Sequence, residues 1–403
     1  MTHRVAVTGM GVVCAIGATL PEFRAALVAG RSGVGPITIF DPASLPTRIA
    51  AEVKTGGAMR DRKVTFACQA AAEAMGDATR GGGRPLGRGG LSLGLGLELF
   101  SMDDLAARRA GAPLPATAAE RMVFLQTPSD LCVSMLAQRF GLCEPPLTHV
   151  SACAAGTDAL GSAFRMIASG RRRWMMAGGA DSMINPLGVA GFCSIGATST
   201  DNDDPPRASR PFDARRSGFV LGEGAGILVL ERLEDARARG AEVHGEICGY
   251  GASFDAHGIS EPHPGGRGAI QAMARALADA GIRPDEVDCV NAHGTGTPKN
   301  DPIETLAIKT VLGARARGVP VCATKSMTGH LIAAAGAVEA IAAIAGMQAS
   351  VVHPTINLDR PDPACDLDYV PHAARPYPHR TVLSNSFAFG GQNAAIVLRR
   401  FDG

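Results

Sequence analysis

The chain has 403 residues, of which 46% are hydrophobic and 19% are charged, with a formal net charge of +1. This length predicts two domains or two fused halves, and the composition is typical of a globular enzyme with a large core. A charge this close to zero argues against nucleic acid as a partner. The start of the chain does not resemble a signal peptide, and the ten cysteines form no CxxC pair and no zinc-ligand spacing. We therefore expect a reduced, cytoplasmic protein without a membrane partner.

Strand-like and helical segments alternate along the chain, which predicts α/β layers with largely buried sheets. Strand-like segments lie at 5–8, 147–151, 175–178, 226–230, 246–250, 287–292, 319–323, 382–386 and 395–398. Helical patterns lie at 21–29, 64–79, 129–140, 154–169, 233–239, 268–280, 302–312 and 331–348. The order of elements around 147–180 recurs around 287–350, which suggests two related halves, 1–245 and 246–403.

Two apolar or glycine-rich segments have alternative interpretations. The segment GMGVVCAIG (9–17) follows the first strand as a dinucleotide fingerprint would, but its third glycine comes six residues after the second instead of three. The spacing therefore disfavours a nucleotide site. The apolar segment 331–346 is shorter than a typical membrane span and contains Glu339. It predicts a buried, tightly packed helix.

One cysteine stands at a position suited to nucleophilic chemistry. In VSACAAG (150–156) a strand ends and a small-residue helix begins at Cys153. The positive end of a helix dipole favours a thiolate, and small neighbours allow a substrate to approach closely. Taken alone, the same pattern also fits a cysteine that only packs in the core.

Two histidines strengthen the catalytic interpretation. His293 lies in NAHGTGT (291–297) and His330 ends TKSMTGH (324–330), so each follows a strand inside a polar, glycine-containing loop. Loops at the carboxyl edge of a sheet are a common place for active sites. A single histidine of this kind is as readily structural, but two of them predict one shared site.

Four blocks of the sequence resemble a known family. VSACAAG, NAHGTGTPKND, ATKSMTGHLIAAAG and SNSFAFGGQN closely resemble the signature blocks of elongating β-ketoacyl-acyl-carrier-protein synthases, which include type II fatty-acid enzymes and their polyketide relatives. VAVTGMGVVCAIG and RPFDARRSGFVLGEGAG match as well, so the resemblance covers nearly the whole chain. It implies a thiolase fold of two similar βαβ-rich halves in alternating helix and sheet layers. It also implies decarboxylative Claisen condensation of a cysteine-bound acyl chain with malonyl-carrier.

The resemblance assigns the central residues. Cys153 would be the nucleophile that takes the acyl chain, and His293 and His330 would stabilise the enolate formed by decarboxylation. Lys325 would support the histidines, with Glu304 as its partner. A thiolate suits acyl exchange, and N–H donors suit a step that develops negative charge on oxygen.

Further residues are assigned by the same resemblance. The backbone N–H of Phe389 would join that of Cys153 in an oxyanion hole, and Asp255 would belong to a loop that moves with the Phe389 gate. The implied pantetheine contacts are Thr295 and Thr297, and the implied carrier-docking residues are Arg62, Lys63, Arg121 and Arg207. The family also implies dimers, with Thr127 and Pro128 lining the partner's pocket.

A third group of residues could bind a metal ion. Asn291, Glu339, Ser384 and Asn385 match positions that bind Na⁺ or K⁺ in some family members, although a hydrogen-bonded polar cluster explains them equally well. Apart from this ion, the resemblance implies no cofactor besides the phosphopantetheine arm of the carrier.

Departures from the family pattern leave the pathway open. GLGLELFSMDDL (94–105) differs from the segment that fatty-acid enzymes carry at the acyl pocket, and Asp201 replaces an expected docking arginine. A chain-length factor would lack Cys153, a degradative thiolase would carry a second cysteine within 384–393, and a type III initiating enzyme would have asparagine at His330. The remaining alternatives are a homodimer of primary fatty-acid elongation and a condensing subunit paired with a chain-length factor.

Overall fold

The computed structural model describes residues 3–54, 61–81, 83–85, 87–96, 106–107, 109–113 and 128–403, with the backbone alone at 128–130. The predictions for Arg121, Thr127 and most of the 94–105 segment lie outside the described residues.

Six of the nine predicted strands are longer in the structure, and the three predicted at 147–151, 287–292 and 319–323 are shorter. The strands are β1 (Val5–Cys14), β2 (Gly35–Pro36), β3 (Ile49–Ala50), β4 (Gly90–Leu95), β5 (Leu147–His149), β6 (Trp174–Ser182), β7 (Glu223–Arg232), β8 (Gly245–Phe254), β9 (Cys289–Asn291), β10 (Val321–Cys322), β11 (Val351–Val352), β12 (Arg375–Pro376), β13 (Thr381–Phe387) and β14 (Gln392–Arg399). Strand β1 continues past Thr8 because Gly9 and Gly11, which have no Cβ, allow backbone carbonyls of a covering helix to approach closely.

Among the described residues, the following α-helices have defined bounds at both ends. They are α1 (Leu20–Val28), α2 (Arg62–Ala78), α3 (Pro128–Phe140), α4 (Ala155–Ala168), α5 (Pro186–Ser194), α6 (Leu233–Ala238), α7 (Arg267–Ala280), α8 (Asn300–Leu312), α9 (Lys325–Thr328) and α10 (Ala335–Ala349). Short 3₁₀ turns at Ala152–Ala154 and Ile332–Ala334 lead directly into α4 and α10.

The main sheet consists of two five-stranded halves with the same strand order. The first half runs β5-β4-β6-β7-β1 and the second β10-β9-β13-β14-β8, so both have the order third, second, fourth, fifth, first. In each half the three strands at the outer edge of the sheet, β5-β4-β6 and β10-β9-β13, are parallel to one another. The remaining neighbours pair antiparallel: β6 with β7 and β7 with β1, and β13 with β14 and β14 with β8. Strands β1 and β8 pair antiparallel at Val5–Val7 and join the halves. This is the duplicated α/β fold that the family resemblance implies.

Helices cover both faces of each half-sheet. Helices α4 and α10 pack against each other and contact strands of both halves, so they form the central layer. Helix α2 covers β1, β7 and β6 on one outer face, and α7 covers β8 and β14 on the other. In the described part of the chain, the segment Ile332–Ala349 is long and apolar enough to cross a membrane, but 83% of it is buried inside the protein. The predicted buried helix is therefore present.

The two central helices begin with the same unusual turn. Ala152 and Ile332 have φ values of +46° and +45°, although neither is glycine. Four residues after each of them stands a glycine, Gly156 or Gly336, against which the other central helix packs. A Cβ on Gly156 would lie 2.7 Å from the carbonyl oxygen of Ala333. The duplicated turns therefore face each other at the centre of the molecule.

Candidate active site

The first turn carries Cys153. The thiol follows β5, sits in the 3₁₀ turn before α4, and is 2% exposed. A positive φ at Ala152 is strained for a residue with a Cβ, and strain of this kind is common at active sites. The turn directs Cys153 into an apolar cluster that includes Met183, Phe219 and Ile332. The sulfur is thus held at the meeting point of the two halves.

His330 reaches the same sulfur from the second half. Its Nε2 lies 3.1 Å from Sγ of Cys153, and its Nδ1 accepts a hydrogen bond of 3.1 Å from the backbone N–H of Ile332. An Nδ1 that accepts leaves the proton of the neutral ring on Nε2. His330 therefore presents an N–H donor, and it does not act as a base toward the thiol in this tautomer.

His293 completes the cluster. One ring nitrogen of each histidine and the sulfur of Cys153 all lie within 4.8 Å of one another, and the two imidazole centroids are 5.3 Å apart. Burial, reinforced by the charge of Lys325, lowers the pKa of both rings well below the usual range. Both rings are consequently neutral near pH 7 and can donate hydrogen bonds without carrying charge.

Lys325 is bound differently from the prediction. Its Nζ donates to Glu339 at 2.5 Å and to the carbonyl oxygen of His293 at 2.6 Å, and both charged side chains are buried. Glu304 instead accepts from the backbone N–H groups of His293 and Gly294 at 2.7 and 2.8 Å. The predicted Lys325–Glu304 pair is therefore wrong, because Glu304 is occupied by the loop that carries His293.

The Cys153 thiol is not acidified in the resting protein. Burial raises its pKa to about 12, and this effect outweighs the lowering by Lys325 and by the backbone N–H groups of Phe389 and Cys153. The cost of burying a thiolate therefore exceeds the stabilisation that a helix start provides. The same two N–H groups nevertheless face the sulfur, so they converge where a thioester oxygen would lie.

The FGG turn at Phe389–Gly391 closes the site from the side of β13. The Phe389 ring lies 6.3 Å from that of Phe192 and 6.4 Å from that of Phe219, measured between centroids. The backbone N–H of Asp255 donates to the carbonyl of Gly391 at 2.7 Å, and one Asp255 carboxylate oxygen accepts from the N–H of His263. The loop that contains Asp255 is therefore attached directly to the FGG turn.

The remaining predicted residues fall into two groups. Thr295 and Thr297 lie together, with their hydroxyl oxygens 2.9 Å apart, on the loop that follows His293. Of the described docking residues, Arg207 is half exposed and pairs with Asp359. Lys63 is 2% exposed, and Arg62 donates to buried Glu223. These last two side chains point into the protein, so this arrangement does not present them to a carrier.

The four predicted ion ligands include Glu339, the ion-pair partner of Lys325. Asn291 donates to the hydroxyl of Ser384 at 3.1 Å and to the backbone carbonyl of Glu339 at 3.3 Å, which accounts for part of the cluster. Oε2 of Glu339 and Oδ1 of Asn385 are buried oxygens without a hydrogen-bond partner among the described residues. Unsatisfied buried oxygens of this kind fit a bound monovalent cation.

Two residues near the cluster are not among the predicted site residues. The ring of Phe219 packs edge-on against His330 with centroids 5.2 Å apart. Asp181, at the end of β6, accepts a hydrogen bond from the backbone N–H of Ala333 in the second central turn. Phe219 lies in the block RPFDARRSGFVLGEGAG, but nothing in that block indicates a site residue, and Asp181 lies in none of the quoted blocks. Only the fold brings the two residues to the site.

The fold and the site together define a thiolase-type enzyme with one buried cysteine and two buried histidines at the meeting point of its halves. Comparison with protein families agrees with this class. Residues 2–236 match the model of the β-ketoacyl synthase N-terminal domain, and residues 244–359 match that of the C-terminal domain. The chain belongs to the β-ketoacyl synthase family, and it is an acyltransferase of the condensing type.

Curated relatives fall into both branches of this family. The chain is 42% identical to a 3-oxoacyl-[acyl-carrier-protein] synthase 2 of Synechocystis sp., with 99% of the chain and 98% of the relative covered. It is also 42% identical to a putative polyketide β-ketoacyl synthase 1 of Streptomyces cyaneus, with the same coverage. Sequence identity alone therefore does not separate the fatty-acid branch from the polyketide branch.

Solved structures show the same fold over the whole chain. A type II polyketide ketosynthase bound to the hexaketide and its acyl-carrier protein superposes with a TM-score of 0.88 at 32% identity, covering 100% of both chains. The ishigamide ketosynthase/chain length factor superposes with a TM-score of 0.89 at 35% identity, again with full coverage.

Proposed function

We propose that this enzyme elongates an acyl chain by decarboxylative Claisen condensation, with Cys153 holding the acyl group and malonyl-acyl-carrier protein supplying two carbons. The observation that carries the proposal is the convergence of the Cys153 sulfur, two neutral histidines and the Phe389 N–H within one buried cluster. The apolar side chains around Cys153 suit an acyl chain.

The first half-reaction is thioester exchange. The sulfur of Cys153 attacks the acyl-carrier thioester, the carbon–sulfur bond to the carrier breaks, and the thiol proton leaves with the carrier sulfur. The backbone N–H groups of Phe389 and Cys153 stabilise the oxyanion that forms on the acyl oxygen. The nucleophile is the thiolate, so the charge of Lys325 and the N–H groups of Phe389 and Cys153 favour attack by offsetting part of the cost of burying that charge.

The second half-reaction creates negative charge. Malonyl-carrier loses carbon dioxide, and the bond electrons form an enolate whose oxygen accepts hydrogen bonds from His293 and His330. The enolate carbon then attacks the acyl-Cys153 thioester and expels the cysteine thiolate, which leaves a β-ketoacyl group on the carrier. Neutral donors fixed in a buried site strengthen as charge develops, which lowers the barrier to decarboxylation.

Other buried polar groups hold the histidines in place. Lys325 binds the backbone carbonyl of His293, and Glu304 binds the N–H groups of the same loop. We assign both as positioning residues. Thr295 and Thr297 would bind the pantetheine arm, while Phe389 and Asp255 would form a gate that opens for the incoming carrier.

The monovalent cation remains part of this proposal. Glu339 and Asn385 would supply the two unpartnered buried oxygens, with Asn291 and Ser384 beside them. An ion there would supply a fixed positive charge behind the Lys325–Glu339 pair and stiffen the cluster.

We further propose acyl carrier protein and a second family subunit as partners. Strand β5 ends the sheet, and the adjoining Val150 is 64% exposed, so this edge is available for pairing.

Arg207 would contribute to carrier docking, together with Arg121. A homodimer in fatty-acid elongation and a heterodimer with a chain-length factor both fit, and the ishigamide structure favours the second candidate as strongly as the Synechocystis relative favours the first. A cytoplasmic location and a boundary between the halves at 245/246 also stay predictions.

Mass spectrometry of the intact protein tests the proposed function. Incubation with acyl-carrier should add one acyl group to the wild-type protein and none to Cys153→Ala, because the thiol is the acceptor. Malonyl-carrier should then remove the acyl group from the enzyme and yield a β-ketoacyl-carrier. Acylation of Cys153→Ala at the wild-type rate would show that the nucleophile is misassigned.

A further inference from the structure

Asp181 is a fully buried carboxylate for which the condensation steps above have no use. It lies at the end of β6, with a relative exposure of 1%. One carboxylate oxygen accepts from the N–H of Ala333 at 3.0 Å, and the other accepts from the N–H of Ser182 at 2.8 Å. A Cβ on Gly96 would overlap the carboxylate, so the side chain fills a close-fitting space.

The Ala333 N–H has a counterpart in the other half of the fold. The two central turns match residue by residue, from Ala152 and Ile332, both at positive φ, to Gly156 and Gly336. In this register Ala333 corresponds to Cys153. The N–H of Cys153 faces its own sulfur, where a substrate oxygen would lie, whereas the equivalent N–H in the second turn is occupied by Asp181.

The occupied N–H belongs to the residue directly after Ile332, the strained residue that orients His330. Ile332 holds a positive φ, which is unfavourable for a β-branched side chain and must be stabilised by its surroundings. Its own N–H binds Nδ1 of His330, which leaves the proton on Nε2, 3.1 Å from the cysteine sulfur. The hydrogen bond from Ala333 to Asp181 fixes the next peptide of this turn.

We infer that Asp181 is a positioning residue for the proposed condensation: by holding the Ala333 N–H it keeps the turn that aims Nε2 of His330 at Cys153. This inference rests on the proposed function, since it concerns the orientation of a histidine in that mechanism. Asp181 touches no reacting atom, so its effect must pass through the turn.

The charges that face Asp181 come from several elements. Lys63, at the start of α2, lowers the pKa of Asp181, while Asp61 and above all burial raise it, to about 6 overall. The carboxylate in turn raises the pKa of the Cys153 thiol. On its own strand, the hydroxyl of Ser182 donates to Glu223, which is paired with Arg62. The buried side chain of Lys63 is thus a counter-charge for this network.

Asp181→Asn is the informative substitution. Asparagine has one acceptor oxygen in place of two, so one of the two N–H groups meets an amide donor and the negative charge is lost. We expect carbon dioxide release from malonyl-carrier to fall by about 10-fold to 10²-fold, the range for a misplaced catalytic group. Alkylation of Cys153 by iodoacetamide should not slow, because removal of the nearby negative charge favours the thiolate.

The pH profile separates positioning from general destabilisation. In the wild-type enzyme, decarboxylation should decline as pH falls through about 6, because a protonated Asp181 accepts more weakly. Asp181→Asn should lack this acidic limb. Lys63→Met removes a charge that lowers the Asp181 pKa, so it should move the limb to higher pH.

Two further variants complete the experiment. Asp77→Asn alters another buried aspartate, one that accepts from the N–H of Met10 far from the cluster, and should keep the wild-type pH profile. His330→Ala measures the loss when the donor itself is removed. Two results would overturn the inference while His330→Ala remains impaired. One is that Asp181→Asn decarboxylates malonyl-carrier at the wild-type rate. The other is that Asp181→Asn loses alkylation and decarboxylation to the same extent and keeps the acidic limb. Unimpaired His330→Ala would instead overturn the proposed function, and this inference with it.

Discussion

The buried ion pair of Lys325 with Glu339 predicts a separation between stability and activity. The two side chains are 1% and 2% exposed, and the nitrogen–oxygen distance is 2.5 Å. Replacing Lys325 by methionine keeps most of the side-chain volume but leaves a carboxylate buried without its cation. Breaking a buried pair in this way costs about 3 to 5 kcal/mol. The single variant should therefore be markedly less stable than the wild-type protein.

Neutralising the partner should restore most of that loss. In the double variant Lys325→Met/Glu339→Gln no unpaired charge remains, and replacing a whole buried pair is often close to neutral. A double-mutant cycle should thus give a coupling energy of at least about 3 kcal/mol, because the double variant regains most of what the single variant loses. Urea unfolding can be followed through the fluorescence of Trp174, the only tryptophan in the chain, which is buried in β6.

Activity should not return with stability. Both variants lack the hydrogen bond from Lys325 to the carbonyl of His293 and the charge that lowers the Cys153 pKa. Decarboxylation and alkylation of Cys153 should therefore stay slow in the double variant. Recovered decarboxylation would show that Lys325 acts only by neutralising Glu339. A double variant as unstable as the single one would refute the account of the buried pair.

Three other predictions follow from the same geometry. Cys153→Ala should abolish condensation yet still release carbon dioxide from malonyl-carrier. His330→Ala should slow that release by about 10² to 10³ and still accept an acyl group. Intact mass measures the acylation, and gas release measures the decarboxylation. Elongation by Cys153→Ala would contradict both parts. Arg207→Glu should slow acyl transfer from the carrier while sparing a small thioester, because a charge at the rim mainly affects association; equal losses with both substrates would argue against docking at this surface. Gly156→Val should fold poorly, since its side chain would strike the facing central turn, while Gly191→Ala, which has open space around it, should melt like the wild-type protein.

The sequence alone was sufficient to predict which four residues meet at the candidate site. Cys153, His293, His330 and Lys325 each stand in a contiguous block that combines a strand end, small residues and a polar loop. These features are local, so a short segment specifies both the residue and its position at the sheet edge. The four side chains indeed meet in one cluster.

Long-range pairing was decided only by the tertiary structure. Glu304 and Glu339 both lie on helices near the cluster, and their chain positions do not reveal which carboxylate faces Lys325. Arg62 and Lys63 are predicted as surface charges, yet Arg62 donates to buried Glu223, far away in the chain, and Lys63 is itself buried. The partner of a charge depends on how helices and strands pack, and that is a property of the whole fold.

The pKa of Cys153 also depends on the folded structure. A helix start predicts a more acidic thiol, but the depth at which Cys153 is buried reverses the outcome and raises its pKa. Asp181 meets Ala333 across 152 positions of the chain, because β6 ends beneath the second central turn. The sequence determined which groups meet in the candidate site. The packing of the two halves determined the protonation, the hydrogen-bond partners and the orientation of these groups, since desolvation and close contact arise only when distant segments come together.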